Sequence, residues 1–323
     1  MRNLMLSDIV AGVRNYPGLI RKHAISRLVD VLRPIQDFGD TVLGFGEDAA
    51  ALRLGNEFLL FASDGIWSKL HADPRWAGYC SVLVNVNDIY AMGGKPFALT
   101  NNISFTSEEE GELVAEGIRD ACQKFEVPMV GGHTHPDSDS LTVSVSVVGR
   151  ASKLITSRDC QVGDDLIVAI DLDGRKRGEF LNWDSTSHKS SEVARNQLDS
   201  LIEIAQKDLA TAGKDLSNPG ILGTIGMLLE TSEKGAVIDL GVLPIPDGID
   251  MTEWVLMYPG YGFVLSCQKD RSSEISEVFL ERNIEASVIG EVTEGSKVTL
   301  KQSGEEETLF DFQIDSITGI KMR

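Results

Sequence analysis

The chain has 323 residues, of which 42% are hydrophobic and 24% are charged, and its formal net charge is −19. This length accommodates two ordinary domains, each with its own hydrophobic core. A surface this acidic is repelled by nucleic-acid backbones and anionic lipids, and no run of about 18 apolar residues is present, so we expect a cytoplasmic protein without nucleic-acid or membrane partners.

The first half of the chain alternates helical and extended patterns. The run 57–63 (EFLLFAS) is almost continuously apolar, which is typical of a buried strand. Residues 141–149 alternate apolar and polar side chains, as a strand with one buried face does. Helices are predicted over residues 5–14, 22–33, 76–92 and 108–125.

The second half starts with a new apolar strand at Asp164. The predicted elements that follow are a helix at about 192–212, a glycine-rich turn, a helix at 219–230, and strands around Ala236, Tyr261 and Ser287. Because strands and helices alternate along the whole chain, we predict an α/β fold with two domains, residues 1–155 and residues 156–323.

Three short motifs of the first half place a carboxylate beside small residues at the end of an element. They are GEDAA with Asp48, SDG with Asp64, and NVND with Asn87 and Asp88. Each motif alone is a common turn or capping feature. Together they favour a site for a hard cation, because Mg²⁺ binds a few carboxylates together with the phosphates of a substrate.

The second half carries one motif of comparable character, GKDLSNPG at residues 213–220. Ser217 or Asn218 suits a helix N-cap, and Pro219 suits the first helical position. The backbone N–H groups of that helix start would face an anion, with Asp215 ahead to hold a metal and Lys214 beside it. An ordinary capped helix is the alternative interpretation.

The sequence GGHTHPD at residues 131–137 admits two interpretations. A glycine-rich turn formed by Gly131, Gly132, His133 and Thr134 would bring backbone donors to a phosphate. Alternatively, His133 and His135 would bind zinc, although no further ligand is evident in the sequence.

Residues 174–191 follow the first strand of the second half and combine cations with an aromatic side chain. A solvated surface loop is one interpretation, and a lid over a bound substrate is the other. For the lid interpretation, the predicted substrate contacts are Arg175, Asn182, Trp183 and Asp184, together with Ser217 and Asn218.

Taken in order, these motifs resemble the AIR-synthase-related (PurM-like) superfamily, which includes selenophosphate synthetase and thiamine-monophosphate kinase. Within the first domain, NDIYAMGGKP followed by GGHTHPD is most similar to selenophosphate synthetase. A narrower resemblance, to the members known as methanogenesis markers, rests on the combination of AGYCSVLVNVNDIYAMGG, GGHTHPD, LNWDST, TAGKDLSNPGILGTIGMLLE and MYPGYGF. The resemblance implies a homodimer whose N-terminal domains form a shared β-barrel, and a C-terminal α/β sandwich domain. It also implies ATP and Mg²⁺, with the metal ligands at Asp48, Asp64, Asp88 and Asp215.

By the same resemblance, Asp64, Asn87 and residues 131–134 would line the nucleotide. Asp48, Asp88, Asp215 and Lys214 would carry the catalysis. The expected activity is transfer of the γ-phosphoryl group of ATP to an oxygen of a small substrate. A simple kinase, a non-catalytic ATP-binding assembly factor and a zinc hydrolase are the alternatives.

The sequence also departs from these relatives. Selenophosphate synthetase carries a reactive Cys or selenocysteine near its N-terminus, whereas no cysteine precedes Cys80 here. The related hydrogenase-maturation protein ends in a cysteine, whereas this chain ends in Lys-Met-Arg. The acceptor substrate of those enzymes is therefore not transferred to this chain.

Overall fold

The computed structural model describes residues 5–320. The helices are α1 (Leu6–Arg14), α2 (Pro17–Ile20), α3 (Ile25–Leu32), α4 (Pro74–Ala91), α5 (Glu108–Phe125), α6 (Ser191–Gln206), α7 (Gly220–Thr231), α8 (Met251–Trp254) and α9 (Ser272–Leu280). Within the described residues, no helix has both the length and the apolar character needed to cross a bilayer.

The strands are β1 (Thr41–Leu43), β2 (Ala50–Leu54), β3 (Glu57–Gly65), β4 (Lys95–Ser104), β5 (Met129–His135), β6 (Thr142–Ala151), β7 (Asp165–Ile170), β8 (Arg175–Lys176), β9 (Asn182–Asp184), β10 (Ala212–Asp215), β11 (Gly235–Asp239), β12 (Tyr258–Pro259), β13 (Gly262–Cys267), β14 (Glu285–Thr293), β15 (Lys297–Gln302) and β16 (Glu305–Asp311). They form a six-stranded sheet ordered β1-β2-β3-β6-β4-β5, a seven-stranded sheet ordered β10-β13-β7-β14-β11-β15-β16, and a small sheet ordered β12-β9-β8.

The six-stranded sheet is covered on one face by α4, which in turn packs on α5. Strand β6 alternates buried and accessible residues, as the pattern at 141–149 predicts. Strand β3 alternates too, with Leu60 and Ala62 in the core and Phe61 47% exposed. The prediction of a fully buried strand at 57–63 is therefore wrong, because the described chain covers only one face of this sheet.

The seven-stranded sheet is covered on both faces around its strand β7. Ile167 and Ala169 belong to the core shared with α4, α6 and α9, whereas Leu166 and Val168 belong to a second core around α1 and α7. A strand buried on both faces requires apolar side chains at consecutive positions. This explains the continuous run that follows Asp164 in the sequence.

Helix α6 ends earlier than the sequence pattern suggests. The predicted helix at about 192–212 stops at Gln206, and Asp208 adopts a φ of 50°, a left-handed conformation that ends a helix. Residues 212–215 then form strand β10, which pairs antiparallel with β13. The first part of the predicted glycine-rich turn at 213–220 is thus a buried strand that ends at Asp215, and residues 216–219 form the turn that leads to α7.

The N-terminal segment packs against the second half of the chain. Leu6, Ile9 and Val13 of α1 lie in the second core, and Arg14 forms an ion pair of 2.6 Å with Asp315. The segment then returns to the six-stranded sheet through α3. The division of the chain into two domains near residue 155 remains a prediction.

Helices α4 and α5 touch through their backbones at two glycines. A Cβ atom added to Gly117 would lie 1.9 Å from the carbonyl oxygen of Arg75, and one added to Gly78 would lie 2.2 Å from that of Val114. Such contacts leave no room for a side chain, so the position of α4 depends on these glycines.

We predict that Gly117→Ala lowers the free energy of unfolding by about 1–3 kcal/mol, because the helices must separate to accommodate the methyl group. Gly12→Ala is the matched control, since its added Cβ would meet nothing within 4 Å and alanine favours a helix by about 1 kcal/mol. Urea unfolding measures both variants. Equal midpoints for Gly117→Ala and the wild type would contradict the prediction.

Candidate active site

A cavity of about 930 Å³ lies between strands β2 and β3, helix α4 and the segment that joins β10 to α7. Residues of α3, including Val29 and Leu32, form an apolar wall together with Phe61. The acidic lining consists of Glu47 and the four residues that we call the aspartate cluster, namely Asp48, Asp64, Asp88 and Asp215. The four predicted metal ligands therefore line one cavity.

Each member of the aspartate cluster comes from a different element. Asp48 lies in the bend before β2, Asp64 near the end of β3, Asp88 in the last turns of α4, and Asp215 at the end of β10. One carboxylate oxygen from each of Asp48, Asp88 and Asp215 lies within 4.8 Å of the other two. Within residues 5–320, no other set of three or more His, Cys, Asp or Glu side chains meets this criterion.

Helix α4 brings Asp88 and Asn87 to the cavity, whereas Ser81 and Asn85 donate to the helix backbone. Asn85 donates to the carbonyl oxygen of Ser81 at 2.8 Å, and the hydroxyl of Ser81 donates to that of Gly78 at 2.7 Å. Asn87 also lines the cavity, and its amide donates across it to the carbonyl oxygen of Gly260 at 3.2 Å.

Lys214 lies inside the aspartate cluster. Its ammonium group contacts Oδ1 of Asp48, and the two side chains are only 7% and 3% exposed. The backbone N–H of Asp215 donates to Oδ2 of the same aspartate at 3.3 Å. The attraction of Asp48 and Asp215 keeps the pKa of Lys214 above its ordinary value in spite of burial.

Asp88 and Asp215 both have raised pKa values. Burial, reinforced by the charges of Asp64, Asp215 and Asp48, raises the pKa of Asp88 well above its ordinary value. Burial and the charge of Asp48 raise the pKa of Asp215 to about 8, although Lys214 acts in the opposite direction. Perturbed carboxyl groups that face a cavity are typical of functional sites.

The sequence patterns gave no signal for Lys22, which also lines the cavity. It precedes α3, and the charges of Asp64 and Asp215 raise its pKa, although burial lowers that pKa overall. Its place beside Asp64 depends on the fold of the N-terminal segment, so local sequence reasoning could not assign it.

Glu47 is a second residue that the sequence analysis missed, although it belongs to the GEDAA motif. Its side chain is fully buried, accepts a hydrogen bond of 2.6 Å from the backbone N–H of Ser157, and pairs with Arg158 at 3.2 Å. It thereby ties the bend that carries Asp48 to the segment that leads into the second half.

Asn182 and Trp183, which were predicted to contact a substrate, line the cavity as part of buried strand β9. The indole N–H of Trp76 donates to Oδ1 of Asn182 at 3.4 Å. Tyr258, which pairs with Asn182 between strands β12 and β9, also lines the cavity. A solvated loop at 174–191 is therefore excluded for this part of the segment.

The remaining predicted substrate residues divide into two groups. Ser217 and Asn218 line the cavity, but neither caps α7, which begins at Gly220 with Pro219 at the N-cap position. The predicted cap is wrong because the φ of 79° at Gly220 turns the chain before the helix starts. Arg175 and Asp184 pair with each other at 3.6 Å and do not line the cavity.

The predicted turn at residues 131–134 is strand β5 at the edge of the six-stranded sheet. Gly131, Gly132, His133 and Thr134 are exposed there, and in a single chain none of them lines the cavity. The prediction of a turn is wrong, since Gly132 serves close packing: an added Cβ would lie 2.3 Å from Oδ1 of Asn101. His133 and His135 stack edge to face, with ring centroids 4.5 Å apart.

Two family models match most of this chain. The N-terminal domain of AIR-synthase-related proteins matches residues 46–151, and their C-terminal domain matches residues 162–302. The chain belongs to the AIR-synthase-related family. Three members of the aspartate cluster lie in the first match, and Asp215 lies in the second.

Similar family members include an uncharacterized protein of Methanocaldococcus jannaschii, 43% identical over 97% of this chain and 99% of its own length. An uncharacterized protein of Synechocystis is 37% identical over 98% of both chains. The selenide, water dikinase of Carboxydothermus hydrogenoformans is 26% identical over 75% of this chain and 74% of its own length.

Solved structures of the same fold include AaThiL in complex with AMPPCP and TMP, with a TM-score of 0.67 and 19% identity over 90% of this chain and 98% of that one. PurL of T. maritima in complex with ADP has a TM-score of 0.74 and 17% identity. This match covers 94% of the present chain but only 53% of PurL, so the chain spans about half of that protein.

The raised pKa of Asp215 predicts a pH dependence of stability in the absence of divalent cations. The folded state binds the proton more tightly than the unfolded state, so stability is lost as pH rises from about 4 towards 8, by at most about 1.4 kcal/mol per pH unit. Asp215→Asn should therefore unfold at a higher temperature than the wild type in EDTA at pH 8, and the difference should shrink at pH 5.

Thermal unfolding at both pH values provides the measurement. Asp139→Asn is a suitable control, since Asp139 is exposed and does not line the cavity. A variant Asp215→Asn with the same pH dependence as the wild type would refute the expected role of this carboxyl group.

Proposed function

We propose that this protein binds ATP with Mg²⁺ in the cavity and transfers the γ-phosphoryl group to an oxygen of a small substrate. The observation that carries the proposal is the convergence of Asp48, Asp88 and Asp215 from three elements onto oxygen positions within 4.8 Å of one another. The same cavity also contains the ammonium group of Lys214. Membership in a family that includes a selenide, water dikinase and a thiamine-monophosphate kinase supports this chemistry.

A magnesium ion fits the donor set of the aspartate cluster. Mg²⁺ prefers hard oxygen ligands and usually binds through one or two carboxylates together with substrate phosphates. Asp88 and Asp215 are 7% and 4% exposed, and charged groups buried to this extent require a counter-ion. Asp88, Asp215 and Asp48 would hold the metal, with Asp64 at the exposed side of the cluster.

Phosphoryl transfer breaks the bond between Pγ and the β–γ bridging oxygen and forms a bond from Pγ to the acceptor oxygen. A bound Mg²⁺ would neutralise charge on the transferring group. Lys214 supplies a second positive charge in the same place, and its raised pKa keeps it protonated. Asn87 offers a neutral amide beside Asp88 for orientation of the nucleotide.

The acceptor substrate would contact the neutral polar side chains of the cavity. Asn182, Ser217, Asn218 and Tyr258 line it without a formal charge, and Trp183 adds an aromatic wall. A simple kinase would leave a phosphorylated product, a synthase would release inorganic phosphate, and an assembly factor would release neither. An assay for ADP, phosphate and phosphorylated product with fractionated metabolites separates these outcomes.

We further propose a cytoplasmic homodimer in which the six-stranded sheets pair. The face opposite α4 has no cover within the described chain, and Phe61 lies directly across from Val148 on it. Ala98 continues the row on β4. A row of apolar side chains across a sheet favours burial against a second copy.

Asp88→Asn should weaken binding of Mg-ATP by roughly 100-fold, because it removes a charged ligand from the centre of the cluster. Isothermal titration calorimetry with Mg-AMPPCP measures the affinity, and circular dichroism verifies the fold. Asp139→Asn removes the same charge at an exposed position and should bind like the wild type. Unchanged affinity in Asp88→Asn would remove the basis of the proposed function.

Val148→Asp should convert the dimer into a monomer, because it would bury an unpaired carboxylate in the sheet interface. Sedimentation velocity gives the mass of the particle in solution. Leu280→Asp provides the control, since Leu280 is 66% exposed at the end of α9 in the second half of the chain. A wild-type monomer, or a variant Val148→Asp that remains dimeric, would argue against this interface.

A further inference from the structure

Lys214 has an unusual position for a lysine that is nearly buried. Strand β10 pairs with β13 along its whole length, with Lys214 opposite Val264, so the lysine enters the cavity from a rigid element. Its side chain is 7% exposed and its ammonium group contacts Oδ1 of Asp48. The lysine therefore cannot retreat to solvent without a change of the sheet.

This contact occupies a carboxylate that would otherwise be available to a metal. Oδ1 of Asp48 contacts the ammonium group of Lys214, and Oδ2 accepts the backbone N–H of Asp215 at 3.3 Å. Each oxygen of Asp48 thus has one partner within the protein, and a carboxylate has about four lone-pair sites, so Asp48 can still contribute a ligand to one metal ion but has less capacity for a second. Asp88, by contrast, has no cationic partner in direct contact among the described residues.

The formal charges of the side chains that line the cavity indicate how many metal ions the site can hold. The aspartate cluster carries four negative charges when it is ionised, and Lys214 and Lys22 supply two positive charges in the same cavity. With Glu47 and Arg21, which also line the cavity, the formal count is five carboxylates against three cations, and the difference of two is the charge of one divalent cation.

We propose that the ammonium group of Lys214 is a built-in cation that takes the place of one divalent ion in the aspartate cluster. The chain then binds one metal ion fewer than its carboxylates could otherwise hold. This inference rests on one part of the proposed function, namely that the aspartate cluster binds a divalent ion. It assigns Lys214 a role in fixing the number of metal ions, in addition to any contact with a phosphoryl group.

The test counts bound Mn²⁺, which is a paramagnetic substitute for Mg²⁺. Full-length wild type, Lys214→Met and Lys214→Arg are titrated with Mn²⁺ without nucleotide, and free Mn²⁺ is measured by electron paramagnetic resonance. Lys214→Met keeps the length of the side chain and removes its charge, and it should bind one more Mn²⁺ per chain than the wild type. Lys214→Arg retains the charge and should bind the wild-type number.

Lys22→Met is the matched control for net charge. It removes one positive charge from the same cavity, but Lys22 lies on the Asp64 side and on a different element. It should bind the same number of Mn²⁺ ions as the wild type. An equal gain in both lysine-to-methionine variants would overturn the proposal, because charge alone would then explain the gain.

An unchanged count in Lys214→Met would also overturn the proposal. If Lys214→Met does not fold, Lys214→Gln replaces it, and thermal unfolding with and without Mn²⁺ verifies that the added ion stabilises the folded chain. Binding of Mg-AMPPCP to the wild type tests the proposed function separately from the metal count. If the proposed function fails, wild-type protein would not bind Mg-AMPPCP, whereas a gain of one Mn²⁺ in Lys214→Met would still support the role of the lysine.

Discussion

Asp88 and Asp215 are almost fully buried, and oxygens of both lie within 4.8 Å of each other and of an oxygen of Asp48. Two like charges about 4 Å apart repel by roughly 4 kcal/mol at the effective dielectric of a protein surface. The raised pKa values of Asp88 and Asp215 express this repulsion together with the cost of desolvation. This part of the cavity therefore favours cations, and the ammonium group of Lys214 beside Asp48 is one of them.

The fold sustains the repulsion because rigid elements carry the charged side chains. Helix α4 is fixed against α5 by backbone contacts at Gly78 and Gly117, which leave no space for a side chain. Strand β10 is fixed by its ladder with β13. The bend before β2 is held by buried Glu47, which bonds to residues 157–158 at the entrance to the second half. Helix α4, strand β10 and the bend before β2 are therefore held in place against the repulsion between the carboxylates.

The rest of the cavity has a different character. Asn182, Asn218 and Tyr258 line it with neutral polar side chains, and Trp183 adds an aromatic one. One relative is named for selenide, and two solved structures of this fold contain FGAR and TMP. In the proposed function the aspartate cluster would bind the phosphoryl donor, whereas the acceptor would depend on individual side chains around the cavity and not on the fold.

The sequence by itself determined the helices at 76–92 and 108–125, the alternating strand at 141–149 and the four aspartates, because local periodicity and short motifs encode them. Only the tertiary structure brought Lys22 beside Asp64, since the N-terminal segment packs on the second half through contacts more than 290 residues apart, such as Arg14 with Asp315. It also placed residues 131–134 in a strand, together with residues 213–215, the first part of the predicted glycine-rich turn at 213–220. Glycine permits a turn and a close backbone approach equally, and only the neighbouring strand decides between them.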